Sequence, residues 1–410
     1  MNPNTDPRQA LRERPARALG LALLSFVLAL VQGCGGSGGV DSGGTGMQAQ
    51  TLAVGPINGF GSIVVGGVHY DETQARVLDA DGHELPPTAL QLGAMTSIDA
   101  SAITTTTTAG STRQDAQAQT VRISEAVVGP VDSVNTVGSS LVVLGQTVVV
   151  NGGTVFDSNL SAGLSAISAG QVLAVHGLLD SAASAGGRIV ATRIERRTGA
   201  TSYVVRGTVV SLDRSAQRMV VGALNVALND LSSLPSGLAV GSVVRVKLGT
   251  TAAGGAWPAS VLRLDGLTLP DRDGVEIEGR VSAFTSAQAF SVDGVSVNAS
   301  GATFSGTVAL GVRVEVSGSS SGGVITARRV SVDSADGGGS EAFEVEGSVT
   351  AVDTTAKTFV VRGVTVQWSD STRFAVGSAA DIVLNRRLNA KGRLAADRSH
   401  VDATSITLEL

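Results

Sequence analysis

The sequence predicts an all-β protein: a tandem array of about five small five-stranded β-barrels behind an N-terminal targeting segment. Three observations predict it. The first is a strand pattern written five times. Each copy opens with a strand carrying Gly-x-aliphatic: Val54-Gly55-Pro56-Ile57, Val128-Gly129-Pro130-Val131, Arg206-Gly207-Thr208-Val209, Glu278-Gly279-Arg280-Val281 and Glu346-Gly347-Ser348-Val349. Each closes with Ala-x-x-aliphatic, at residues 118–121, 191–194, 259–262, 327–330 and 403–406. The second is the period of roughly 70 residues, near the lower size limit for a domain with its own core. The third is composition. There are 52 glycines, only 3% aromatics and no long Leu/Glu/Lys run, which favours many short strands and tight turns over helices.

The fourth copy shows the elements most plainly. Residues 275–281 alternate with period two, as a half-buried strand does. A second strand, 289–292, and a third, 295–297, flank Asp293-Gly294. Asp-Gly between alternating apolar residues is a strong hairpin signal, because both central turn positions need positive φ. Gly66-Gly67, Gly145, Gly222 and Gly363 stand at the equivalent turns. Thr303-Phe304 follows, matched by Thr154-Val155-Phe156 and Thr372-Arg373-Phe374. Residues 311–316 make a fourth strand and 325–332 a fifth. Five short strands with little helix must hide their edges, and the five-stranded closed solution is an OB-like barrel. A propeller blade needs only four strands in about 40–50 residues, and a solenoid rung is shorter still. In the third copy, residues 231–237 replace the Thr-x-Phe element, so distortion is expected there.

Arg8, Arg12, Arg14 and Arg17 precede an apolar run at 18–31, the order of a signal peptide and short for a membrane span. The run ends in Leu30-Val31-Gln32-Gly33-Cys34, which resembles a bacterial lipobox. Cys34 is the only cysteine, so no intramolecular disulfide forms, and the residue is expected to carry the lipid. Gly35 after it favours the outer membrane by analogy with enteric sorting, facing periplasm or cell surface. The expected organisation is a signal peptide at 1–33, a Gly/Ser-rich tether at 34–50, and repeats at 51–125, 126–200, 201–270, 271–336 and 340–410. The Gly-x-Ser-x-Gly match at 35–39 lies in the tether, without the strand and helix that a nucleophile elbow needs.

The run Val54-Gly-Pro-Ile-Asn-Gly-Phe-Gly-Ser-Ile-Val-Val-Gly-Gly-Val68, with Val128-Gly-Pro-Val131, Leu144-Gly-Gln-Thr-Val148 and Ala191-Thr-Arg-Ile-Glu195, resembles bacterial lipoproteins built from domain of unknown function 5666. The resemblance spans nearly all of the mature chain. It implies tandem OB-like barrels behind a lipobox and carries over no catalytic residue.

Chemistry is sparse. The net charge is −5; removing residues before Cys34, which contribute +2, leaves about −7, with three lysines only. That balance argues against a nucleic-acid binder, which shows a basic stripe. His69, His83, His176 and His400 have no second ligand at metal spacing, and His176 reads as a solvent-facing or rim residue. Asp79-Ala80-Asp81-Gly82-His83-Glu84 lacks the ligand set of a calcium loop and reads as a hairpin turn. Phe156, Phe304 and Phe374 read as core plugs, with base or sugar stacking as the rival. The pairs Arg196-Arg197, Arg328-Arg329 and Arg386-Arg387 read as edge charges, and the threonine run 104–108 as an exposed loop. The OB ligand face of the fifth copy offers a speculative surface: Trp368, Arg362 and Arg373, with burial of Trp368 as the plainer alternative. No nucleophile, base and orienting group come together in the sequence. The expectation is therefore a non-enzymatic, monomeric, envelope-anchored binding or scaffold module without cofactor or metal, its partner an envelope protein or glycan. The alternatives are a carbohydrate or anionic-polymer binder and, third, an enzyme.

Overall fold

The pattern becomes strand throughout the computed structural model, which describes residues 51–108, 111–183, 186–265, 269–332, 342–396 and 398–409. The expected signal peptide, Cys34 and the tether lie outside these residues. Among the described residues no helix is long and apolar enough to cross a membrane.

Repeat four sets the plan. Its first strand (Arg272–Ser286) pairs antiparallel with the second (Ala289–Val292), and the second with the third (Val295–Asn298). The third runs parallel to the fifth (Val324–Val332), which pairs antiparallel with the fourth (Arg313–Ser321). The fourth returns to the first, closing the barrel in the order 1-2-3-5-4. Repeats two, three and five close by the same pairings. The third repeat closes although its Thr-x-Phe element is gone. Repeat one follows the plan with its first strand split, Thr51–Pro56 and Gly59–Phe60. The chain is thus all-β, an array of five small five-stranded OB-like barrels.

Two positions explain the repeated glycines. At the hairpin, Asp293 (φ 47) and Gly294 (φ 86) take the left-handed pair that a two-residue turn requires. On the first strand the need is space. A Cβ on Gly279 would lie 2.6 Å from Val292 Cγ1, on Gly207 2.8 Å from Val221 Cγ1, and on Gly55 or Gly347 3.1 Å from Val65 or Val361 Cγ1. In each case the neighbour is the last residue of strand two. Barrel closure presses this valine onto the opening strand, so the motif glycine is a packing device.

Buried side chains of the described residues form three clusters. One joins repeats one and five, including Tyr70, Ile98, Phe343 and Phe359; another joins repeats two and three, including Leu141, Ile189, Val221 and Val246; the third is repeat four with Leu52 of repeat one. A barrel of about 60 residues is marginal by itself, and strand-one seams add burial between neighbours. Thr51–Val54 runs parallel to 274–277 of repeat four. After the break at Ile57 and Asn58, Gly59 and Phe60 run parallel to Glu344 and Val345 of repeat five. Val127 and Val128 pair antiparallel with Val205 and Val204 across repeats two and three. The split in strand one of repeat one lets its two pieces serve two neighbours.

The threonine run expected as a loop is instead a strand. Thr104–Thr108 pairs antiparallel with the start of Ser111–Ile123. Consecutive β-branched residues favour extended backbone, which outweighs their low complexity.

Candidate functional site

A cleft of about 1650 Å³ lies among repeats one, two, three and five. Its walls are the turn and loop around residues 79–92, the short segment 155–161, the end of strand five of repeat two with the linker after it (193–202), and the segment 394–401. Strand four of repeat three adds Arg245 and Lys247.

Several charges here bind one another across repeats, and others pair within one. Glu125 takes Arg197 at 2.8 Å and Arg245 at 3.8 Å, while Arg245 Nη1 donates to the Glu125 carbonyl at 2.6 Å. Glu195 takes Arg193 at 3.2 Å and Arg197 at 3.1 Å. Lys247 meets Asp81 at 2.8 Å, and its hydrogen bond and charge hold the Asp81 carboxyl below its usual range. The Asp79 to Glu84 segment is a turn, with Gly82 N donating to Asp79 O and His83 Nδ1 3.0 Å from Asp79 Oδ2.

His176 departs from its expected rim position. It is buried, with Nδ1 3.1 Å from Ser124 O and 3.4 Å from Met95 N. Burial lowers its pKa, against the opposing carboxylates of Glu125 and Glu195, so the ring is neutral at neutral pH. The cause is tertiary: repeat one packs over strands four and five of repeat two. There Thr192 Oγ1 donates to Gly93 O at 2.6 Å and Arg193 Nη1 to Leu92 O at 3.2 Å.

The speculative surface of repeat five does not assemble. Trp368 is only 6% exposed and packs on Phe359 at 6.0 Å, so its indole is core and is not presented for stacking. Arg362, in a left-handed turn position, reaches Glu72 of repeat one at 3.2 Å. Arg373 is exposed on the short strand Arg373–Val376. Of the three expected plugs, Phe156 is buried, Phe374 half-buried and Phe304 36% exposed. The short strand lies at the barrel rim, where burial depends on what a neighbouring repeat covers. The arginine pairs act as stitches: besides Arg197, Arg387 binds Glu346 and Glu409, and Arg328 donates to Asp273 O and Gly318 O.

Sequence reasoning missed Arg398. Its backbone is left-handed (φ 62), and its side chain crosses the cleft from repeat five to repeat two. Nη2 donates to Asn151 O at 3.2 Å, and the guanidinium lies 5.5 Å from the Phe156 ring centroid. Burial lowers its pKa, and among the described residues it has no carboxylate partner. A solitary arginine in a loop leaves no sequence signal. Among the described residues no three His, Asp or Glu side chains converge as a metal site.

Three segments match the profile of the domain of unknown function DUF5666: residues 128–195, 278–331 and 346–407, within repeats two, four and five. No curated protein matches the chain. A solved structure described as drosophila Unr CSD456 is 14% identical, spanning 50% of this chain and 97% of its own, with a TM-score of 0.13.

Proposed function

We propose that all five repeats are DUF5666 domains and that the chain is a non-enzymatic binding or scaffold lipoprotein of the bacterial cell envelope, lipidated at Cys34. The observation that carries the binding reading is the cleft among four repeats, where Glu125, Asp81, Arg197, Arg245 and Lys247 are spent on holding repeats together. Side chains committed to ion pairs across domains fix a surface; they do not supply a free base or nucleophile. The basic, apolar, small-residue and Cys34 order supports the anchor, with the outer membrane as the expected destination. The test has two arms. Wild-type protein is expected in the membrane fraction, and Cys34→Ser in the soluble fraction or uncleaved; unchanged lipid labelling of that variant rejects the anchor. Pull-down from envelope extract with the purified mature chain is expected to capture a partner that the cleft variant Arg245→Glu loses.

A second reading, an anionic-polysaccharide binder, is favoured by Arg398 and the exposed Arg196, cleft cations without an ion pair among the described residues. A glycan array separates it from protein scaffolding: acidic glycans retained by wild type and lost in Arg398→Ala support it.

A further inference from the structure

The five copies can be compared at one register position, and the third differs from the others. In four repeats a short strand lies parallel to strand five and places an apolar residue opposite the aliphatic of the Ala-x-x-aliphatic motif. The pairs are Val77 with Val121, Phe156 with Ile194, Phe304 with Val330 and Phe374 with Ile406. Each of those four aliphatics is 0% exposed. Among the described residues repeat three has no such strand. Its fifth strand (Trp257–Leu264) pairs with strand three (Leu224–Leu228) only as far as Ala259. Beyond that point it pairs on one side alone, with strand four (Val243–Leu248). Leu262, the register equivalent of Ile194, is half-buried, and Val261 and Leu264 are 39% and 40% exposed. Repeat three therefore leaves one backbone edge of strand five without a ladder partner beyond Ala259 and Leu262 half-buried, while Leu234 and Leu238 of the replacing loop pack on the same core and Gly237 lies against Leu264.

We propose that this edge is a docking site for an extended peptide segment of a partner protein. The guest would run parallel to strand five, with an aromatic or branched aliphatic residue opposite Leu262 and an acidic residue just after it. The four filled copies define the direction of the guest and its apolar residue; its acid is set by Arg263. Strand addition supplies main-chain hydrogen bonds, and the pocket over Leu262 supplies side-chain selectivity. Charge complementarity supplies the acid. Arg263 is exposed and makes no ion pair among the described residues. In repeat two the plug Phe156 is followed by an acid, Asp157, whose carboxylate accepts from the backbone N–H of Arg196 at 2.7 Å, whereas Ser305 and Ala375 follow the plugs of repeats four and five. An open edge beside exposed apolar side chains is otherwise an aggregation hazard, which an intended partner removes.

The proposal deepens the binding-module reading and rests on it, but its test is separate from the cleft. The probe is a labelled peptide copying residues 152–159, Gly-Gly-Thr-Val-Phe-Asp-Ser-Asn, titrated into the full mature chain and followed by anisotropy, with a Phe→Ser version as control. Saturable binding is expected, weakened roughly tenfold by Arg263→Glu and by the control. It should be lost when residues 231–237 are replaced by the same segment in cis. Should the cis-filled chain not fold, hydrogen exchange of wild type decides: amides of 260–264 are expected to slow roughly tenfold with peptide. Three results overturn the proposal: no saturable binding, unchanged exchange at 260–264, or dimerisation of the chain through this edge that peptide does not reverse. Failure of the glycan and pull-down arms with success here rejects the cleft and leaves this surface standing.

Discussion

At the scale of residues, the hidden feature is a carboxyl. Glu276, on strand one of repeat four, is buried with Oε2 unpartnered. Burial first, then the Glu315 carboxylate, raises its pKa from 4.5 to about 8, against Arg329 and Arg328. Tyr70 of repeat one is fully buried nearby with an unpartnered hydroxyl, and burial followed by these two carboxylates pushes it above the phenol range. Asp293 moves the same way, to about 6, through burial opposed by Arg206. An acid raised on folding stays neutral in the native state up to its folded pKa, so its stability is full below the unfolded value and falls as pH climbs towards the folded one. The melting midpoint should therefore fall from pH 5 to 8, and Glu276→Gln should flatten the upper part of that slope. The penalty removed at pH 7 is on the order of 3 kcal/mol. A parallel slope in the variant would refute this. The motif glycine gives a second test. Gly279→Ala should cost about 1–3 kcal/mol by overpacking Val292, and Gly279→Ala with Val292→Ala should recover part of it in urea titrations. Trp368, in a chain with Trp257→Phe, should resist acrylamide quenching, since Phe359 and the barrel wall cover it.

At the scale of elements, strand one is the shared part. Its inner face closes a barrel and its free edge makes the seams, so the repeats differ in how much they owe a neighbour. Repeat four holds its own cluster, with Leu52 as the visitor; repeat five shares its core with repeat one. A piece covering 271–332 should be β-rich alone by circular dichroism, whereas 342–409 should be largely unfolded until joined to 51–125. Equal folding of the two pieces would show that the seams add little. The turn at Asp293-Gly294 and the five strands of that copy were legible because φ sign and side-chain period are local. The threonine strand was not, because composition hid what β-branched backbone prefers.

At the scale of the molecule, Glu125 joins strands from repeats two and three through Arg197 and Arg245, and the cleft depends on that junction. Glu125→Ala leaves two guanidinium groups partly buried beside each other and should cost about 1–3 kcal/mol, splitting a single thermal transition into two. One unbroken transition at the wild-type midpoint would show that the junction is ornamental. The sequence by itself determined the repeat, the strand order within each copy, the hairpin turns and the barrel class, because each follows from spacing along the chain and from residues that only local backbone geometry selects. Tertiary structure alone decided that His176 and Trp368 are buried, that Arg362 and Arg197 stitch repeats, that Arg398 crosses a cleft, and that repeat three is left open at Leu262. Those outcomes depend on which barrel lies against which: seam pairing joins residues far apart in sequence, and no period within one copy encodes the neighbour that covers it.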